Sequence, residues 1–537
     1  MIDQFPVLWL FLPILIALIM YLVKSSHIHW FIFPMQLVLM ISFVIYVIAW
    51  KSDPSMGLII FGGWEETIAI TFYLDALNLT FVGLTLFFFT IIYYYSFKSN
   101  YHEKKFFFFL TFLESVFLGL LMTNDLFNLF VFLELAALLV TLLITYRKGE
   151  NALKAGLQYL LLASMASIMY LIGLMLLYYV FGHLNIRLMA ATMSSFIETS
   201  VVKLAYGFMI TAFALKGAIF PLYAWLPKAH GVAPSSVSAL LSGLIVKAAL
   251  YLFMRIHTGM FGSPYDFGEV LFWLGMVSAL AGVGFAMVQK DVKQILAYHT
   301  VSQVGLMLVG LSFDQGTSFI GGWMHIIHHA IFKGLLFLAV GVIIKTYQTK
   351  KIYEIHGVMK TLPWTGILLI VGMLSITGAP LFNGYVSKTM IKYAFANDDI
   401  KMFLFNLVNL GTIISFSKMA MMLFGQPIQA VNVKRASITQ HIPMSILALS
   451  SLIIGLFYQP IVQFIYDFSA YGIHLDDVGI YLEYIFWVSL GFNLYYFVIK
   501  KDYRPLAKLR DLTMTFPTAN FLLLCFLVSV FALVYIF

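Results

Sequence analysis

The chain has little charge, one cysteine and no long polar stretch. Asp, Glu, Lys and Arg make up 10% of its 537 residues, against 62% hydrophobic. A soluble domain cannot cover its surface with so few charges, so soluble enzymes and signalling modules are excluded. The net charge of +8 does not argue for nucleic acid. The basic residues sit between apolar segments, where membrane topology accounts for them. The single cysteine, Cys525, lies in the last apolar run, which rules out an internal disulfide and a cysteine-rich metal centre. HEXXH is absent, and no flavin, haem, iron–sulfur or nucleotide signature occurs, so neither a cofactor nor a metal is expected. The opening MIDQFPVLWLFLPILIALIMYLVK lacks a basic start and a small-residue cleavage site, and reads as a first span rather than a removed signal.

What the chain has is apolar length. Sixteen apolar segments are predicted, at roughly 5–23, 29–49, 73–97, 105–123, 124–146, 153–181, 201–228, 233–256, 267–289, 292–312, 318–345, 361–396, 402–424, 441–466, 478–499 and 516–537. Nothing in the pattern argues for strands, so the expected fold class is an all-α polytopic membrane protein. With the N-terminus outside, the alternate loops assigned inside hold 21 of the 32 Lys and Arg, among them Lys104, Lys105, Arg147, Lys148, Lys350, Lys351, Lys500, Lys501 and Arg504. The outside loops hold 6 and carry acids instead: Glu65, Glu66, Asp398, Asp399, Asp476 and Asp477. This asymmetry predicts that both termini face outward.

The remaining five basic residues lie within spans: Lys216, Lys247, Lys333, Lys388 and Lys418. A lysine at membrane depth costs about 2.5–3.5 kcal/mol on insertion scales, so it needs a partner, a cavity or a task. The Lys216 segment is interrupted by Pro221 and again by Pro227, and the Lys388 segment holds Pro380. Charge beside a broken helix is how membrane ion sites are built. The spacing from Lys216 to Lys247 nearly repeats from Lys388 to Lys418, which suggests a five-helix duplication. With an odd helix count, the second copy would be inverted.

An acidic partner should lie at similar depth. Glu134, in NDLFNLFVFLELAALLVTLL, is the best candidate partner for a buried lysine; the alternative is an ion pair that only pins two helices. Glu114 and Asp75 are the other acids placed inside early spans, and suit structural roles equally well. In GGWMHIIHHAIFKGLLFLAVG, His325, His329 and Lys333 recur every four residues and line one helix face. Such a row suits proton relay, because histidine titrates near neutral pH. A zinc pair and a polar helix seam are the competing readings. In QKDVKQILAYHTVSQVGLM, Lys290, Asp291 and Lys293 read as loop charges, with Asp291 placed to cap the helix. Ser302 and Gln303 can bond between helices.

Taken together, DLFNLFVFLE at 125–134, LKGAIFPLYAWLPKAH, DVKQILAYHTVSQVG at 291–305, HHAIFKGLLFL at 328–338 and GAPLFNGYVSK at 378–388 resemble the antiporter-like subunits of the complex I superfamily. The match covers about residues 70–425 in the family's order. GGWEETIAI and NDLFNLFVFLE look most like the D-type subunit of Mrp-type cation/proton antiporters, and equally like the matching subunit of membrane-bound hydrogenases. His299, often serine in the family, and PLFNGY depart from the pattern. The resemblance implies about fourteen core helices in two inverted five-helix repeats with broken helices, plus about two extra C-terminal helices. The blocks would be 1–104, 105–256 (first repeat), 267–424 (second repeat) and 441–537. It further implies proton translocation through Glu134, Lys216, Lys247, His325, His329, Lys333 and Lys388, with Lys418 a less certain match and Glu114, Asp75 and His299 as further candidates.

The function expected is therefore movement of protons, with sodium the candidate exchange ion, by a plasma-membrane subunit working with other membrane subunits. The same fold also serves a proton pump driven by redox partners, as in a complex I-like dehydrogenase or a hydrogenase. A lipid-linked transferase would need a catalytic cluster near an interface, and none is evident.

Overall fold

A computed structural model describes residues 2–23, 28–97, 104–264, 267–426, 437–512 and 514–536. Among these, fourteen helices are long and apolar enough to cross a membrane, from Ile2–Leu22 to Phe516–Ile536. Two of the sixteen expected crossings fall outside that number because each is interrupted. The seventh runs as Ser200–Lys216 and Trp225–Val232, the twelfth as Pro363–Thr377 and Asn383–Lys392. Polarity is inverted relative to a soluble protein. Gln303, His325 and Lys333 are buried, while Phe11, Leu18 and Ile48 are exposed, as burial against lipid requires.

The chain divides into two compact units. The first comprises Met1–Lys216, Ala248–Tyr265 and Leu523–Phe537. It holds the first six spans, the first half of the seventh, the second half of the eighth and the end of the last, whose Phe531 ring meets Phe208 at 5.1 Å. The second comprises Gly217–Lys247 and Asp266–Leu522. Within it the ninth span (Gly268–Val288) and tenth span (Val292–Leu311) pack along each other, and the tenth packs on the eleventh (Gly316–Tyr347).

Several expectations are corrected. A two-stranded antiparallel hairpin, Leu58–Ile60 with Thr71–Tyr73, precedes the third span, with Ile59 opposite Phe72. Its β-branched and aromatic residues flank Gly62 and Gly63 at positive φ, a combination that favours a strand pair even in a chain dominated by helix. Pro227 does not interrupt a helix. It is the third residue of Trp225–Val232, where the missing N–H would have had no intrahelical partner. The interruption is residues 217–224, with Pro221 inside it.

Asp75 does not lie inside a span either. It is the N-cap of Ala76–Ser96, accepts from the Asn78 N–H in a reciprocal capping box, and pairs with Arg255. Asp291 caps the tenth span as expected, accepting from the Lys293 and Gln294 N–H groups at 2.7 and 3.2 Å. Lys293, however, is no loop charge. It is buried in that helix and donates to the Ala233 carbonyl at 2.7 Å.

The twelfth-span break follows from its sequence. Gly378 takes the left-handed conformation that ends a helix, φ +81°, and the Ala379 N–H returns to the Leu374 carbonyl at 2.9 Å. Pro380 cannot resume the helix. A Cβ at Gly384 would fall 1.8 Å from the Ser375 carbonyl oxygen, so only glycine lets the second half lie this close to the first. Lys216 is the last helical residue before its break, whereas Lys388 lies beyond its own. The two lysines therefore do not hold equivalent positions about the breaks, and their similar spacings do not of themselves mark a repeat.

Candidate functional site

In the first unit, Glu134 lies mid-way along the fifth span (Leu126–Ile144) and Lys216 ends the first half of the seventh. The Glu134 carboxylate acts electrostatically on the Lys216 ammonium. They make no direct ion pair, and Glu134 Oε1 is buried without a hydrogen-bond partner among the described residues. Glu114 is built differently. It is fully buried in the fourth span (Lys104–Met122) and accepts from Gln36 Nε2 at 2.8 Å on each oxygen. The Tyr93 hydroxyl adds a third bond at 2.7 Å. Gln36 is itself held by the Thr90 hydroxyl at 2.8 Å.

The second unit holds the other lysines and the histidines. The eighth span widens into a π turn at Leu241–Ile245, a distortion that frees backbone groups and recurs at functional sites. Lys247, just beyond it, is buried and donates to the Ser242 carbonyl. The Ser242 and Thr300 hydroxyls meet at 2.8 Å. Thr300 donates to the Leu296 carbonyl at 3.1 Å, so Ser242 is the donor between the two hydroxyls. The same Leu296 carbonyl accepts Lys333 Nζ at 2.6 Å. Lys247 and Lys333 thus hang on one row of hydrogen-bonding groups drawn from the eighth, tenth and eleventh spans, and their like charges act on each other.

The eleventh-span histidines continue from Lys333. His329 has no partner on either ring nitrogen among the described residues, and its ring lies 6.3 Å from that of His325. His325 bridges Gln303 Oε1 at 3.0 Å and the Ser387 hydroxyl at 2.8 Å. Ser387 precedes Lys388, whose Nζ donates back across the break to the Ile376 carbonyl at 2.8 Å. Asn383 fixes that break, accepting from the Ser375 and Ser451 hydroxyls at 2.5 and 2.9 Å. Direct contact along the row lapses at His329, whose buried ring nitrogens have no hydrogen-bond partner among the described residues.

Two candidates stand apart. Lys418 Nζ donates to the Met287 and Gln289 carbonyls, each at 2.6 Å. It closes the C-terminal end of the ninth span, a favourable place for a cation. His299 lies against the Phe416 ring at 4.9 Å, with both nitrogens unpartnered among the described residues. The sequence reading missed Ser242, Thr300, Ser387 and His230, the last stacked on Phe337 at 4.7 Å with its nitrogens likewise unpartnered.

The family model for NADH:quinone oxidoreductase/Mrp antiporter, TM, matches residues 123–415. The chain is similar to the D-type subunit of the Na(+)/H(+) antiporter of Alkalihalophilus pseudofirmus, 34% identical over 283 residues, which are 52% of this chain and 57% of the relative. It thus spans little more than half the length of that curated relative. Its fold is similar to a chain in the structure of the Mrp complex from Dietzia sp. DQ12-45-1b, with TM-score 0.78, 23% identity and 86% and 96% of the two chains covered. It is similar too to a chain of the membrane-bound sulfane sulfur reductase, an archaeal respiratory membrane complex, with TM-score 0.78, 25% identity and 90% and 99% covered.

Proposed function

Because the chain belongs to the NADH:quinone oxidoreductase/Mrp antiporter transmembrane family, we propose that it is an ion-translocating subunit of a multi-subunit Mrp-type antiporter in the plasma membrane, moving protons in exchange for sodium. The observation that carries this reading is the row Lys247, Ser242, Thr300, Leu296 carbonyl, Lys333. Two buried ammonium groups, each held on a backbone carbonyl with the Ser242 and Thr300 hydroxyls between them, have no structural need of each other, since like charges repel. They make sense as stations that are not both charged at once.

Glu134 and Lys216 form the control pair of the first unit, and a proton reaching Glu134 releases its hold on Lys216. Lys388, beside the twelfth-span break, ends the row. Subunit partners and outward-facing termini follow from the same reading. The decisive test is proton flux in everted vesicles from cells carrying Lys247→Met in the intact complex. The reading expects normal insertion and no flux; wild-type flux across pH 6–9 would overturn it.

The similarity to a respiratory complex favours a second reading, in which partner subunits drive the same row by electron transfer. Purification in mild detergent separates the two, because redox subunits co-purify only in the second.

A further inference from the structure

The second unit contains a cavity of about 210 Å³ at the twelfth-span break, room for a chain of waters. Lys388 lines it from the second half of the broken helix, Asn409 from the thirteenth span (Asp399–Ala420), and Glu483 and Tyr484 from the fifteenth (Val478–Phe497). The family match ends at residue 415, so the fifteenth span lies beyond it.

Three observations give this wall a task. Asn409 Oδ1 is buried without a hydrogen-bond partner among the described residues, so the wall offers an acceptor that a molecule within the cavity can meet. The Tyr484 hydroxyl bonds the Thr377 hydroxyl at 2.8 Å, which pins the fifteenth span to the residue after Ile376, the residue whose carbonyl holds Lys388. Glu483 stands about a turn and a half inside an apolar helix and is exposed beside the cavity, so it can exchange protons both with the cavity and with its exposed side. Among the described residues its one hydrogen bond is from Trp487 Nε1, at 3.2 Å. The other acid on the wall, Asp477, is occupied in capping the helix through the Gly479 N–H at 2.7 Å.

We propose that Glu483 is the proton-relay residue on the far side of Lys388, so that the fifteenth span completes the ion route. The inference rests on the proposed function, because it takes Lys388 as a proton-carrying station. In the step, an N–H bond of the Lys388 ammonium breaks and a cavity water passes the proton on. An O–H bond then forms on Glu483, leaving the lysine neutral and the carboxyl protonated. Release from Glu483 to bulk water restores the carboxylate, and the reverse sequence loads the lysine. Lys392, His474, Asp477, Tyr385 and Tyr484 are the other titratable groups facing the cavity.

The test is proton flux in liposomes containing the intact complex with Lys388→Ala, Glu483→Gln or Glu483→Asp, each measured across pH 6–9. Glu483 is exposed, so its variants should assemble. Glu483→Gln is expected to lower flux by about tenfold and to move the pH optimum, as loss of one acid–base group does. Glu483→Asp should recover more than half of the flux. Lys388→Ala should be inactive. Wild-type flux in Glu483→Gln beside an inactive Lys388→Ala overturns the relay and leaves the proposed function standing. Wild-type flux in Lys388→Ala overturns the proposed function itself. Lost flux that Glu483→Asp does not restore, with the pH optimum unmoved, makes Glu483 a structural residue and also overturns the relay. Should Glu483→Gln fail to assemble, Asn409→Val tests the same cavity by removing its unpartnered acceptor. Reduced flux then supports the relay and unchanged flux overturns it.

Discussion

Glu114 and Glu134 are two membrane-buried carboxylates in one unit, with opposite surroundings. Glu114 is bonded by two donor atoms, Gln36 Nε2 to both its oxygens and the Tyr93 hydroxyl to one. Glu134 keeps a buried oxygen with no partner among the described residues and feels the Lys216 charge from beyond contact distance. The second unit repeats the contrast among its lysines. Lys418 is spent on two carbonyls at a helix end, while Lys247 and Lys333 share a row that leads from one to the other. A buried charge whose hydrogen-bonding groups have partners fixed by the fold is rigidly placed. One with an unpartnered atom, or facing a like charge, is not so fixed. On the proposed function, saturation rather than burial or depth is what separates a structural charge from a transporting one.

The contrast is broken most directly at Glu134. Glu134→Ala, and equally Lys216→Ala, should lower proton flux by about 100-fold or more, with normal insertion. The double variant should be no worse than either single one, since groups acting as a unit are not additive. Near-normal flux in vesicles from either single variant would place Glu134 with Glu114 as a structural acid.

Next in size is Thr300→Val, which keeps the side-chain shape and removes the hydroxyl between Ser242 and the Leu296 carbonyl. Flux should fall about tenfold, the equivalent of ~1.4 kcal/mol for one hydrogen bond at the barrier. Unchanged initial rates would show that protons bypass this row.

Glu114→Gln should act on stability instead. Its new amide would face the Gln36 amide donors, leaving donors opposed at a cost of about 1–3 kcal/mol. The thermal midpoint of the detergent-solubilised complex should drop, and flux per assembled complex should stay within about twofold of wild type. A collapse of flux at unchanged midpoint would end the distinction between the two glutamates.

Much of this was legible in the chain itself. Span number followed from apolar length, and the two interruptions from Pro221 and Pro380, although Pro227, read as a second break, lies inside a helix. The buried lysines and Glu134 stood out because charge is costly in lipid. What decides their roles was not legible. Gln36 lies 78 residues from Glu114, and Ser242 lies 58 from Thr300. No local pattern announces such pairs, and a helical Ser or Thr ordinarily bonds its own preceding turn. Lys293 misled because a charge near a helix start normally faces water. Its carbonyl partner belongs to the turn after the seventh span.

The smallest effect belongs to a saturated charge outside the spans, Asp502. Lys290 Nζ lies 2.5 Å from one carboxylate oxygen and Arg510 Nη1 2.7 Å from the other. Lys290 first, then Arg510, holds the carboxyl below the usual aspartate range. A carboxyl depressed on folding contributes stability above its unfolded pKa, and loses it as pH falls through the folded value. Asp502→Asn should therefore lower the thermal midpoint near neutral pH and have no effect once the medium is acidic enough to protonate the wild-type carboxyl. The site is more than a third exposed, so solvent screening limits the difference to about 0.5 kcal/mol or less. Flux should not change. Thermal scans of both proteins at neutral and acidic pH measure this. A flux defect in Asp502→Asn would mean that a saturated surface pair also governs transport, and saturation would no longer tell the two kinds of charge apart.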